Sequence, residues 1–367
     1  MNFFKHLLIV ITATLPILID SHKVAKAVTF NFEFADGISQ TYQDAVKQAG
    51  DLWAAHLEDD VTINIYISFG ELNDGIVAAV RPSMVRANYT DVLSQFDLDQ
   101  TSADDATAFN YLPTIQANNG GIKRLINKTG TKYRSHKDKS VSNLWLTRAN
   151  AKSLGIIEGN NITTDAEIRL NNSNSVQWDF DASDGIESDH YDLVGTVAHE
   201  LGHAMGFISG VDMLDFNFQR QQFYPDQEYD YITTMDLFRH SDRTKGKGKI
   251  DFRLNKKEKY FSIDGGTNKI AEFSNGLSTR GSSGGYQASH WKFGLNGVMQ
   301  PSIDPGEINS ILPIDLQLMD AIGWDLNSDS EINYLESSVD YIISEDNLHL
   351  PMTRSLPGHH SSGFSFW

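Results

Sequence analysis

The stretch Thr196–Phe207, TVAHELGHAMGF, constrains the fold of this chain more than any other. It sets His199 and His203 four residues apart, with Glu200 directly after the first, inside an apolar run. Leu193, Val194, Val197, Ala198, Leu201 and Met205 recur at helical spacing, which predicts a helix with a buried apolar stripe. Residues four apart share one helix face, with Cβ atoms about 5–6 Å apart, so both imidazoles can point at one ion. Glu200 lies about 100° round the helix from His199 and can reach a water beside that ion rather than the ion itself. Gly206 follows as the third residue after His203. A glycine there can take a backbone conformation closed to other residues, end the helix and turn the chain back beneath the ion. The pattern H-E-x-x-H-x-x-G predicts a zinc-binding helix with Glu200 as base. The plainer alternative is an amphipathic helix holding two satisfied core histidines.

Zinc needs a third protein ligand. Ser209, three residues past Gly206, is a poor one, and Asp212 comes next. The downstream histidines are His240, His290, His349, His359 and His360. The last three fall in a polar tail, and His240, in the basic stretch LFRHSDR, is expected at the surface. His290 is distinguished by Met299, nine residues later in GVMQP, a turn flanked by glycine and proline. Glu228 is the residue available to a site of the other H-E-x-x-H class, with glutamate as third ligand, but no N-E-x-x-S-D helix surrounds it.

Lys5 and His6, the apolar run Leu7–Ile19 and the triplet Ala25-Lys26-Ala27 have the layout of a signal peptide, expected over 1–27. That run is too short to span a bilayer. The expectation is a soluble, secreted or periplasmic chain with no membrane span. It has 367 residues and no cysteine, so it has no disulfide framework and must rely on a hydrophobic core. Its formal net charge of −18 argues against nucleic acid and anionic membranes as partners.

Val28–Phe34 alternates as a half-buried strand does, Thr41–Leu57 has helical spacing, and Val61–Phe69 is a β-branched alternating strand. This β-α-β opening favours a parallel pair. Residues 70–140 are polar and give no clear pattern. Ser142–Ile156 reads as a strand and short helix, Asp165–Asn171 as a strand, Trp178–Asp192 as an acidic loop, and Leu312–Trp324 as a helix. Between Gly206 and Gly285 lies a long insert rich in charge and glycine, whose basic part, Lys245–Lys259, reads as a solvated loop.

HELGHAMGF, a long insert, SHW, GVMQP and a helix ending DAIGW together resemble leishmanolysin-type metzincins and their secreted bacterial relatives. The resemblance is specific over 190–325 and loose before 140. It implies an α+β fold of the zincin kind: a twisted mixed sheet, an active-site helix and a less regular C-terminal subdomain. The catalytic domain would cover 28–325, with an upper part over 28–206, a lower part over 207–325, and a polar tail over 326–367. It also implies zinc held by His199, His203 and His290, Glu200 as general base, Met299 as a floor beneath the metal, and peptide or protein substrates. Such substrates would add as a strand to a sheet edge, for which Ala166–Asn171 is the expected candidate. The chain departs from the family in lacking cysteine, and no tyrosine sits just after Met299 to serve as a fifth ligand.

Asp325, Asn327, Asp329 and Glu336 occupy positions 1, 3, 5 and 12 of an EF-hand-like calcium loop, with Ser330 where glycine is usual. An acidic solvated linker is the plainer reading. Asp179, Asp181 and Asp184 are a weaker calcium candidate, more simply read as turn residues. A rival from another class is a calcium-dependent extracellular binding module with a vestigial zinc site, against which an intact Glu200 argues.

Overall fold

The computed structural model of the chain describes residues 27–113, 121–127, 136–219, 229–276, 286–295, 297–330 and 362–366. Glu228, Glu336, His349, His359, His360 and the expected signal peptide (but for Ala27) lie outside the described residues. The described residues open with β1 (Thr29–Phe34), α1 (Gln40–Ala54), β2 (Thr62–Gly70), β3 (Ile76–Pro82), β4 (Met84–Asn88), α2 (Tyr89–Leu98) and α3 (Ala103–Tyr111). Next come β5 (Ile122–Asn127), β6 (His136–Val141), β7 (Asn143–Thr147), α4 (Arg148–Ser153), β8 (Ala166–Asn171), β9 (Trp178–Asp179), β10 (Tyr191–Asp192) and α5 (Leu193–Met205). The remainder holds α6 (Gly210–Gln219), the short strands β11 (Arg239–His240), β12 (Ile250–Asp251), β13 (Tyr260–Phe261), β14 (Ala271–Glu272) and β15 (Ser302–Ile303), then α7 (Pro313–Ala321) and β16 (Ser362–Phe366). The fold is mixed α+β, and its described part is least regular beyond Gly206, where strands other than β16 are two residues long.

The largest sheet has the order β1-β2-β8-β3-β16-β15. β1, β2 and β8 are parallel, and β3 is antiparallel to β8. The expected alternation of β1 is present: Phe30, Phe32 and Phe34 are half-buried while Thr29, Asn31 and Glu33 are exposed. Gly50 of α1 lets the helix lie close on this row, since a Cβ there would sit 3.1 Å from the Phe32 ring. Ile63, Ile65 and Ile67 of β2 are buried, as are Ala45, Val46, Ala49 and Trp53 of α1. The Trp53 indole donates to the Ala198 carbonyl at 2.8 Å, which fastens α1 to α5.

Three expectations need correction. β8 is not an edge: β2 and β3 pair with its two sides. Its alternation shows which face is solvated but not which strands flank it. β3 lies beyond β8 with β16 on its other side, and its buried run Val77–Val80 falls in the stretch that gave no clear pattern. His240 is buried, not on the surface, because β11 pairs with β13 and carries it inward. The basic stretch is only partly solvated. Lys245 and Lys247 are exposed, but Arg253 is buried beside Asp251, and burial pushes the Lys259 ammonium down to about 7.

β12, from beyond Gly206, pairs with β5 from before it. Among the described residues no helix is long and apolar enough to cross a membrane.

Candidate metal centre

α5 is buried along its whole length. Asp192 caps its start, accepting from the Gly195 amide at 2.8 Å and from the Asn309 amide at 3.2 Å. The helix ends at Gly206, whose φ of +124° is a conformation that other residues avoid. The Phe207 amide donates back to the Gly202 carbonyl at 3.0 Å, so the chain folds under the helix end. That turn presents the Phe207 carbonyl to His203.

His199, His203 and His290 are all buried, and their ligand atoms lie within 4.8 Å of one another. Among the described residues this is the sole group of three or more His, Cys, Asp or Glu side chains so placed. His203 Nε2 is 2.9 Å from His199 Nε2 and 3.2 Å from His290 Nε2. Each Nδ1 faces a backbone carbonyl: Val298 at 2.6 Å, Phe207 at 2.7 Å and Gln287 at 3.4 Å, respectively for His199, His203 and His290. A carbonyl only accepts, so each Nδ1 carries the proton and each neutral ring turns an Nε2 lone pair inward. Burial pushes the three imidazoles below their usual range, His290 to about 3, and neighbouring histidines add to the shift at His199 and His203. Tetrahedral zinc with bonds of about 2.0–2.1 Å would separate its nitrogen donors by roughly 3.3 Å, close to the spacing found. A cluster of three inward lone pairs is held apart by repulsion unless a cation lies among them, so the donor set fits a metal ion.

Glu200 supplies a second sign of fit. Its side chain is buried, its Oε1 has no hydrogen-bond partner, and burial pushes its carboxyl well above the usual range. A neighbouring cation would offset that burial.

Met299 is fully buried beneath the helix. Gly202 makes room for it: a Cβ on Gly202 would lie 2.4 Å from the Met299 sulfur. The methionine sits in a tight turn closed by the Gln300 amide donating to the Gly297 carbonyl at 3.0 Å. The Trp291 amide donates to the Met299 carbonyl at 3.0 Å, which joins this turn to the residue after His290.

Four residues that support the site were not marked by sequence, three of them outside any motif. Asp212 accepts from the amides of Ala288 and Ser289 and from the Ser289 hydroxyl, and so fixes the two residues before His290. Burial pushes its carboxyl up to about 7 against those donors. Asp236 accepts from the Ser209 hydroxyl, the Gly210 amide at 2.8 Å and the Thr233 amide at 2.9 Å. Ser209, three residues past Gly206, is thus spent on Asp236. Asp315 accepts from the Trp291 indole and from the Leu312 amide, both at 2.7 Å. Gly202 is the fourth. It stands inside the motif, and the contact that needs it lies 97 residues away in Met299.

The calcium candidates are placed differently. The Asn327 amide group donates to the Ala55 carbonyl at 2.6 Å and its oxygen accepts from the Ser330 amide at 3.0 Å. Asp325 accepts from the Thr101 hydroxyl at 2.7 Å, and its backbone amide donates to Asp59 at 3.0 Å. Asp329 is exposed. Asp179 receives the amides of Asp181 and Glu187, and Asp181 receives that of Ser183, the pattern of turn residues. No family model matches the chain, nor does any curated protein or solved structure.

Proposed function

We propose that this chain is an exported zinc metalloendopeptidase of the leishmanolysin-like metzincin kind, acting on protein or peptide substrates. The observation that carries the reading is the pairing of three inward-facing Nε2 atoms with a buried, unpartnered Glu200 oxygen one residue along the same helix. A metal that only braced the fold would have no use for that oxygen. A methionine under the metal ligands and a glycine-ended helix also support it.

His199, His203 and His290 would hold the ion. When bound, zinc supplies Lewis acidity that polarises a peptide carbonyl and makes water acidic enough to react near neutral pH. Glu200 takes the proton of the attacking water and passes it to the leaving amine nitrogen. The backbone carbonyls of Val298 and Phe207 keep the first two imidazoles in the tautomer whose Nε2 lone pair can bind metal.

Glu200→Gln tests this directly. It keeps the shape and all three histidines, so the variant should retain one equivalent of zinc by metal analysis while casein cleavage is lost. Cleavage at the wild-type rate in zinc-loaded Glu200→Gln refutes the mechanism. His290→Ala should lose the metal; a full equivalent retained there removes it as third ligand.

A further inference from the structure

Two strand edges lie close to the metal centre. β3 belongs to the large sheet and packs against α5, the helix that carries His199, Glu200 and His203. β15 begins just beyond the Met299 turn. β8 pairs with one side of β3. A strand in that position has a second row of amide and carbonyl groups on its other side that needs a partner.

The partner is β16. It runs parallel to β3, with Gly363 opposite Ile76, Ser365 opposite Ala79 and Phe366 opposite Val80. It is antiparallel to β15, with Ser302 opposite Gly363 and Ile303 opposite Ser362. β3 and β15 are thus separated by one strand. At about 4.7–4.9 Å per strand spacing, the gap between them is roughly 9–10 Å, the width of one extended chain.

We infer that β3 and β15 form a slot for an extended peptide beside the metal centre, and that the chain fills this slot with its own residues 362–366. The purpose of the slot rests on the peptidase reading, but its occupation does not. Strand addition is held by main-chain hydrogen bonds and is tolerant of sequence, so a peptide substrate and SGFSF compete for the same groups. The fit of β16 is imperfect. Its register against β3 shifts between Gly363 and Ser365, so the ladder is interrupted within five residues. A short, interrupted ladder is weak by itself and is favoured by being tethered, since a linked segment is present at an effective concentration of about millimolar. The result is a latent site that opens when the segment is displaced or removed. It needs neither a cysteine switch nor a leading inhibitory segment.

The test uses the full chain, zinc-loaded, with Gly363→Pro and Ser365→Pro combined. Proline removes the amide donor and disfavours pairing within a ladder. Two quantities are read: hydrogen exchange of the amides of residues 76–80, and the Kd of a tripeptide hydroxamate that binds through the metal. If the slot is open about one-tenth of the time in the wild type, the hydroxamate should bind about tenfold tighter to the variant. Exchange at β3 should quicken, and free SSGFSFW peptide should slow it again and compete with the hydroxamate. Unchanged exchange at β3 overturns the docking. Faster exchange with an unchanged Kd overturns the occlusion. A tighter Kd with no casein cleavage by either protein keeps the slot and refutes the peptidase reading instead.

Discussion

Asp212→Ala probes whether the loop before His290 is held for the sake of the metal. The wild-type carboxylate collects three donors, the Ala288 amide, the Ser289 amide and the Ser289 hydroxyl. That hydroxyl in turn accepts from the Ser209 amide at 2.8 Å, so one carboxylate couples the start of α6 to the loop that carries His290. Each donor left without an acceptor costs about 1–3 kcal/mol, and the three losses are not independent, which puts the total near 3–5 kcal/mol. The effect on metal should be separable. Loss of an outer group that orients a ligand weakens metal binding by about 10–100-fold, or roughly 1.4–2.7 kcal/mol. Zinc affinity is measured by competition with a chromophoric chelator, alongside a thermal melt of the metal-free protein. Asp212→Asn, which keeps the shape and one acceptor oxygen, should fall between wild type and alanine in both. If Asp212→Ala lowers the melting temperature but leaves zinc affinity within about twofold of wild type, the carboxylate serves the fold alone and the argument is refuted.

Gly202→Ala gains about 1 kcal/mol of helix propensity but drives a methyl into the buried Met299 sulfur, at a cost of about 1–3 kcal/mol. A net loss in urea unfolding, partly recovered by adding Met299→Ala, is expected; a more stable single variant contradicts the contact. Lys152 is wholly buried and pairs with Asp165 at 2.6 Å, so Lys152→Met should destabilise by about 3–5 kcal/mol, and a loss under about 1 kcal/mol would show the pair to be dispensable. Asp59 and Asp99 are both pushed up to about 8, by burial and then by Asp325. The folded chain therefore keeps protons that the unfolded chain sheds above about pH 4, so this contribution is full at low pH and is lost as pH rises through about 8. Asp99→Asn should flatten the fall in melting temperature between about pH 5 and pH 9, and an unaltered slope would show that Asp99 does not titrate there.

Elements with a local period were legible in the sequence. α1 buries Ala45, Val46, Ala49 and Trp53 of the positions that its helical spacing marks, though Leu52 is exposed and Leu57 lies past the helix end, and β1 half-buries its three phenylalanines. β3 was not legible because Val77–Val80 is buried at every position, and a strand enclosed on both faces has no alternation to read. Strand order was equally hidden. Periodicity in β8 reports on one face of the sheet, whereas its neighbours are set by hydrogen bonds to residues a hundred positions away. Burial of His240 and Lys259 escaped for a similar reason. Their polarity predicts the surface, but the pairing of β11 with β13 and the charge of Asp251 decide otherwise.

The site divides along the same line. His199, Glu200, His203 and Gly206 could be read because one helix and its end fix them all, so spacing is geometry. His290 could be reached by elimination and resemblance alone, because nothing periodic connects it to His203, 87 residues earlier. What brings it there is a set of carboxylates, Asp212, Asp236 and Asp315, each gathering backbone amides from loops that have little regular structure. Buried carboxylates with such donors are costly to strip and hold a loop nearly as well as a strand ladder would. In a chain without cysteine, they do around the histidine cluster what disulfides do in other proteins. An isolated aspartate in a polar insert looks the same in sequence whether it is solvated or holds a ligand loop. His290 is therefore secured by the residues that sequence distinguishes least.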